Sequence, residues 1–246
     1  MPTYDVAIIG GGIVGCATAY RLAQQYPDQS IALIEKEDRV AAHQTGRNSG
    51  VIHSGVFYTP GSLKAKNCRE GKHALVEFCE REGVDYDMCG KVVVAASEKE
   101  VPELEKIREK GRKNNVACER ISLERLRELE PHVRGVAALH VPGAGIVDYA
   151  GMTERLAARV QEQGHALKTG AEVRDLHVGD REVTVETTAG DVRAQYVVNC
   201  AGLYADRIAK MSGMDPGVQI VPFRGEYYEL VPDRRHLCRN LIYPVP

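Results

Sequence analysis

Six residues near the start, Gly10-Gly11-Gly12-Ile13-Val14-Gly15, have the spacing G-x-G-x-x-G. A short apolar run, residues 6–9, precedes them. Small and apolar residues at helical spacing follow over 13–25, until Pro27. A glycine-rich turn between a strand and a helix can take a pyrophosphate, because the first N–H groups of the helix and its dipole face the anion. In that reading Gly10 permits the tight turn, Gly12 lets backbone approach the phosphates, and Gly15 lets the helix pack close to the strand. Residues 30–35 form a second apolar strand, and Glu35 at its end stands 20 residues after Gly15. A carboxylate there can accept hydrogen bonds from both adenosine ribose hydroxyls and repels a 2′-phosphate, which disfavours NADP. Strand, turn, helix, second strand and acid together form the context that makes this motif informative.

The fingerprint by itself does not choose between NAD and FAD. Three later features favour a flavin. The polar loop Thr45-Gly46-Arg47-Asn48-Ser49-Gly50 can wrap a second phosphate and a ribityl chain. A meander over 172–196 leads to the strand Val197-Val198-Asn199-Cys200 and then Ala201-Gly202, as in flavoproteins whose late strand returns to the nucleotide sheet. No second complete nucleotide fold is visible, as a separate NAD-binding domain would require.

The elements that must position these residues can be read from periodicity. Helices are predicted over 63–81, 98–114, 122–130 (with Ser122 as cap), 152–163 and 203–211. Residues 91–96 read as a strand. The meander turns at Gly179-Asp180 and Ala189-Gly190-Asp191, residues 196–200 form a new buried strand, and strand patterning returns over 219–231. The stretch 43–61 has no period and is rich in Gly, Ser, Thr, Asn and His, a composition that marks a functional loop. Two strand styles alternate along the chain, which predicts two lobes sharing it by interruption.

Composition excludes several classes. The 246 residues are 43% hydrophobic and 27% charged with a net charge of -2, so neither disorder nor a basic nucleic-acid surface is indicated. No apolar run approaches the roughly 20 residues of a membrane span. Seven cysteines, an odd number without a C-x-x-C, fit reduced thiols in a cytoplasmic protein better than a zinc site or disulfide framework. Met1-Pro2-Thr3-Tyr4-Asp5 lacks the positive charge that opens a signal peptide. His43, His73, His132, His140, His165, His177 and His236 have no metal-ligand spacing.

From Tyr4 to about Leu230 the chain resembles the D-amino-acid-oxidase-like FAD family, which includes glycine oxidase and sarcosine oxidase. Within it, His43-Gln44-Thr45-Gly46-Arg47-Asn48-Ser49-Gly50-Val51-Ile52-His53-Ser54-Gly55-Val56-Phe57-Tyr58 is similar to the L-2-hydroxyglutarate oxidases and dehydrogenases. Pro222-Phe223-Arg224-Gly225-Glu226-Tyr227-Tyr228 and Asn240-Leu241-Ile242-Tyr243-Pro244-Val245-Pro246 resemble the same enzymes.

The resemblance implies an α/β fold. A Rossmann-type FAD-binding lobe, mostly parallel sheet with a β-meander, occupies 1–85 and 146–215. It is interleaved with an α+β substrate lobe on an antiparallel sheet, 86–145 and 216–246. It further implies that Gly10, Gly12, Ile13, Val14, Gly15, Glu35, Lys36, Thr45, Arg47, Asn48, Ser49, Gly50, Val51, His53, Val173, Ala201 and Gly202 hold FAD, with no metal. The activity implied is oxidation of L-2-hydroxyglutarate to 2-oxoglutarate, hydride passing to the flavin and electrons then to oxygen or a quinone. A quinone route would bring peripheral contact with the inner membrane face. His53 is the expected proton acceptor or a covalent tether for FAD, Arg224 the expected carboxylate fork, and Tyr58 and Tyr227 the expected hydroxyl donors; Lys64 and Lys66 read as solvated helix-start residues. The competing readings are an amine or amino-acid oxidase, a glycerol-3-phosphate dehydrogenase, or an inactive FAD-binding fragment. Relatives are also expected to run longer, closing with a Gly-rich segment that covers the flavin, so residues 1–246 alone are expected to bind FAD weakly.

Overall fold

The run before the glycine turn is strand β1 (Thr3–Ile9), whose last three residues are buried. Helix α1 (Ile13–Gln25) follows, then β2 (Ile31–Ile34), buried at every position. Burial on both faces explains why these strands read as unbroken apolar runs without alternation. The chain continues through β3 (Val51–Ile52), α2 (Leu63–Glu82), β4 (Tyr86–Asp87), β5 (Lys91–Ala95) and α3 (Val101–Lys113). Next come β6 (Glu119–Ile121), α4 (Leu123–Leu129), β7 (Ala137–Val141), β8 (Gly145–Val147) and α5 (Tyr149–Glu162). The last elements are β9 (Ala166–Lys168), β10 (Val173–Val178), β11 (Val183–Thr187), β12 (Val192–Asn199), α6 (Ala205–Met211) and β13 (Leu241–Pro244). This computed structural model describes all 246 residues.

The chain forms two units, Met1–Ser49 with Tyr149–Gly225 and Gly50–Asp148 with Glu226–Pro246. The first break falls after Ser49, where the sequence reading places it after residue 85. The reason is β8, which pairs with both β3 and β4 and so ties residues 50–87 to the second unit.

In the first unit six strands run in the order β10-β11-β12-β1-β2-β9. β12, β1, β2 and β9 are mutually parallel, and β10-β11-β12 is the antiparallel meander. The third meander strand and the late buried strand, which the sequence divides at residue 196, are one strand. β12 pairs with β11 over Val192–Ala194 and with β1 as far as Asn199. Ala7, Ile9, Ala32, Ile34, Val185 and Val192 form the core beneath it.

The second unit holds the four-stranded sheet β13-β5-β7-β6 and the small antiparallel sheet β3-β8-β4. The larger one is antiparallel except for β13, which joins β5 in parallel. Alternate residues of β5 face different partners: Val93 and Ala95 pack with Leu104 and Ile107 of α3, Val92 and Val94 with Leu126 of α4. Fully burying each valine stabilises by about 1.5–3 kcal/mol. The strand expected over 219–231 is absent, and that stretch is irregular. Its alternation has no neighbouring strand to pair with, Pro222 removes a ladder donor, and Phe223 is 92% exposed.

α2 is capped by Ser62, whose hydroxyl accepts from Ala65 N at 3.2 Å, and closed by Gly83 at φ 68°. Inside it, a Cβ added to Gly71 would meet nothing within 4 Å. Gly71→Ala is therefore expected to raise stability by about 0.5–1 kcal/mol through the chain entropy it removes. Denaturant unfolding at unchanged slope checks this, and a lower midpoint would contradict it.

Candidate functional site

In the first unit the glycine turn is built by close contact. Gly10 has φ 112°, and a Cβ there would stand 2.4 Å from the Cys200 carbonyl oxygen at the end of β12. A Cβ on Gly15 would stand 1.8 Å from the Gly10 carbonyl oxygen, so only glycine lets α1 approach the turn this closely. Gly12 is the N-cap of α1 and offers no capping side chain, and the first turn carries no acid. The Ile13 N–H donates to Thr45 Oγ1 at 3.0 Å, which brings the polar loop against the helix start. Asn48 steadies that loop by donating to the Gln44 and Thr45 carbonyls at 3.1 and 2.6 Å.

Glu35 accepts from Gly11 N at 2.6 Å and from Glu37 N at 2.9 Å, one bond to each oxygen. Its remaining lone pairs are available to ribose hydroxyls. A helix start with no capping side chain on its own N-cap residue and no acid in its first turn, a glycine cradle that a Cβ would fill, and an oriented carboxylate together fit a dinucleotide such as FAD. Val173 is buried in β10, and Gly202, at φ 55° after Ala201, opens the turn that follows β12.

Beside Glu35 lies a group of which sequence reasoning named only Lys36. Lys36 Nζ stacks 4.2 Å from the Tyr204 ring, with the Arg207 guanidinium 4.9 Å from the same ring. His43, read as unremarkable, bonds Glu37 at 2.7 Å and meets Tyr204 edge-on at 6.5 Å. The His43 bond and the Lys36 charge hold the Glu37 carboxyl below its ordinary range. A cavity of about 640 Å³ in this unit is lined by Glu37, Arg39, His43, Arg47, Leu203 and Arg224. Arg224 thus stands with Arg47 in the first unit, whereas His53 and Tyr227 belong to the second. Tyr227 is 71% exposed on the irregular stretch.

In the second unit His53 follows β3 on a loop pinned from several sides. Asn114 Nδ2 donates to the Gly55 and Tyr58 carbonyls at 3.1 and 2.8 Å, and the Cys68 thiol donates to the His53 carbonyl at 3.2 Å. His53 itself is exposed on this buried support. Partial desolvation by the packing around it, then the Lys91 and Lys64 cations, lower its pKa from the ordinary histidine value of 6.5. Protonation is the disfavoured direction, so the imidazole stays neutral and able to accept a proton at pH values below that. A reaction that needs neutral His53 should lose rate on acidification only below pH 6.5. The pH profile of substrate-driven flavin reduction checks this, and an acid limb above pH 6.5 would contradict it.

Lys91 was missed because a lysine heading an apolar strand reads as a side chain that reaches back to water. It is 1% exposed. Its Nζ lies 3.9 Å from the Tyr243 ring and 5.4 Å from that of Phe57, and burial lowers its pKa. Such contacts contribute about 0.5–2 kcal/mol, less than the several that burying an ion costs. Tyr243 is fixed through Glu130, wholly buried, which accepts from the backbone of Arg239 at 2.9 Å and of Asn240 just before β13.

No group of three His, Cys, Asp or Glu side chains comes together as a metal site. All seven cysteines are free, and burial raises each thiol, Cys16 to about 12 and Cys118 to about 11. They are protonated at neutral pH and do not supply a thiolate. No helix is long and apolar enough to cross a membrane.

Residues 5–246 match the family model described as DAO, FAD dependent oxidoreductase. The chain is 47% identical over 245 residues to an L-2-hydroxyglutarate dehydrogenase of Indibacter alkaliphilus, covering 99% of this chain and 61% of the relative. It is 45% identical over 244 residues to the enzyme of that name from Escherichia coli strain K12, covering 99% and 58%. The chain therefore spans about 60% of the length of these curated relatives. Among solved structures, the dithionite-reduced L-alpha-glycerophosphate oxidase of Mycoplasma pneumoniae with FAD bound superposes with a TM-score of 0.85. That match has 28% identity and covers 100% of this chain and 66% of that one.

Proposed function

The chain belongs to the DAO family of FAD-dependent oxidoreductases, and on that premise we propose that it serves the oxidation of L-2-hydroxyglutarate to 2-oxoglutarate. The observation that carries the choice of substrate is 45–47% identity across 99% of the chain to proteins named for that reaction. FAD, when bound, supplies the two-electron acceptor for the hydrogen on the substrate C2.

The chain's own residues do the rest. Gly10, Gly12 and Gly15 bring backbone to the pyrophosphate, with Ile13, Val14 and Thr45 at the helix start. Glu35 and Lys36 take the ribose end, and Arg47 supplies a counter-charge from the loop that Asn48, Ser49, Gly50 and Val51 continue. Val173, Ala201 and Gly202 border the same nucleotide. His53 accepts the C2 hydroxyl proton on an imidazole nitrogen, as its lowered pKa allows. Arg224 and Tyr227 are the residues we assign to the substrate carboxylate next to C2. Electrons leave to oxygen or a quinone, and seven free thiols suit a reducing cytoplasm.

The test is anaerobic addition of L-2-hydroxyglutarate, glycine and glycerol 3-phosphate to the purified flavoprotein. Bleaching of the visible flavin band by L-2-hydroxyglutarate is expected, whereas bleaching only by the other two would sink the proposal. Readmitting oxygen, or adding a soluble quinone, then identifies the acceptor.

A further inference from the structure

We propose that Lys91 anchors the distal carboxylate of a 2-hydroxy dicarboxylic acid and makes the site select dicarboxylates over monocarboxylates. This rests on the substrate reading above and adds to it the residue that distinguishes L-2-hydroxyglutarate from shorter or uncharged analogues.

Lys91 is a cation without an anion. No carboxylate lies within ion-pair distance of its ammonium, and no acceptor in the chain takes a hydrogen bond from it. Other buried charges are differently served. Glu130 takes two backbone N–H groups, and Asp206 takes those of Ile220 and Arg207 at 3.1 and 2.9 Å. A buried ion persists where a partner completes it, and here the chain supplies only aromatic faces.

Those faces suit the rest of the ligand. Phe57 and Tyr243 stand 6.3 Å apart with ring planes 32° from parallel. The two methylenes that separate C2 from the distal carboxylate can lie along such rings while the carboxylate meets the ammonium. The carboxylate next to C2 is common to all 2-hydroxy acids and has no methylene chain to pack. Lys91 belongs to the same unit as the expected proton acceptor, and its positive charge disfavours protonation of His53. Its backbone is held on both sides, paired with Leu241 of β13 and Val141 of β7, so the anchor sits on a rigid central strand able to gauge chain length.

The experiment compares Lys91→Met and Lys91→Arg with the wild-type holoenzyme on L-2-hydroxyglutarate and on L-2-hydroxybutyrate, which lacks the distal carboxylate. Lys91→Met should raise KM for L-2-hydroxyglutarate on the order of 100-fold with a small change in kcat, and leave L-2-hydroxybutyrate unaffected. Lys91→Arg should recover part of the loss. Equal losses on both substrates, or no loss, would overturn the proposal. Calorimetric titration with glutarate and with butyrate provides a readout without turnover. Glutarate should bind the wild type far more tightly than the Met variant, and butyrate should bind both alike. If L-2-hydroxyglutarate fails to bleach the wild-type flavin, the substrate reading falls, and the titration still judges Lys91. Equal glutarate affinity in both proteins, or none in either, rejects the anchor.

Discussion

Replacing His53 with Gln is expected to slow flavin reduction by L-2-hydroxyglutarate by roughly 10²- to 10⁴-fold, with substrate affinity changed less than about threefold. Gln keeps a polar side chain of similar reach but takes no proton at neutral pH. The loop supporting residue 53 is held by the Asn114 and Cys68 bonds to backbone, none of which uses the imidazole, so the exchange should leave the loop in place. Rapid mixing under anaerobic conditions gives the limiting rate and the dissociation constant separately. A wild-type limiting rate in His53→Gln would remove the proton-accepting role. A loss confined to affinity would reassign His53 to binding. The acid limb predicted below pH 6.5 should disappear with the residue, which a packing role would not cause.

The second large effect is at Gly15. Glycine to alanine within a helix ordinarily stabilises by up to about 1 kcal/mol, as expected at Gly71. At Gly15 the sign reverses, because the new Cβ would lie 1.8 Å from the Gly10 carbonyl oxygen. That obstacle is backbone and has no flexible tip to swing aside. α1 must lift from the turn, and the N–H groups proposed to meet the pyrophosphate move with it. Gly15→Ala is expected to lose about 3 kcal/mol of stability and to weaken FAD binding roughly 100-fold or more. Denaturant unfolding and flavin titration measure the two. Wild-type FAD affinity in Gly15→Ala would show that the turn does not carry the nucleotide. Gly71→Ala serves as the matched control for the same chemical change.

Local sterics were legible in the sequence, and non-local pairing was not. The roles of Gly10 and Gly15 follow from a glycine spacing that admits one tight turn, and the Ser122 cap of α4 needs only three residues to recognise. The division of β12 at residue 196 failed for a different reason. Its first residues pair antiparallel with β11 on one edge, while from Arg193 onward it pairs parallel with β1 on the other, so its patterning changes without a break in the backbone. The irregular 219–231 stretch shows the converse, because alternation states which residues could share a face but not whether a neighbour is there to pair. Lys91 was hidden because its charge reads as solvated until Tyr243, from the far end of the chain, is placed over it. Tyr204 likewise became visible only once Lys36 and Arg207 stood on its ring.

The strand order also sets a schedule for biosynthesis. β1 lies between β2 and β12, and β12 is about 190 residues downstream. At ribosomal speeds of about 5–20 residues per second, Ala7, Ile8 and Ile9 wait roughly 10–40 s for the partner that covers that edge. In the second unit β5 likewise waits for β13, more than 140 residues later. Neither sheet can therefore close while the chain is half made. The emerging polypeptide must travel most of its length with an apolar, hydrogen-bond-hungry strand exposed, a period in which holdase chaperones or a slowed ribosome would decide yield more than final stability does.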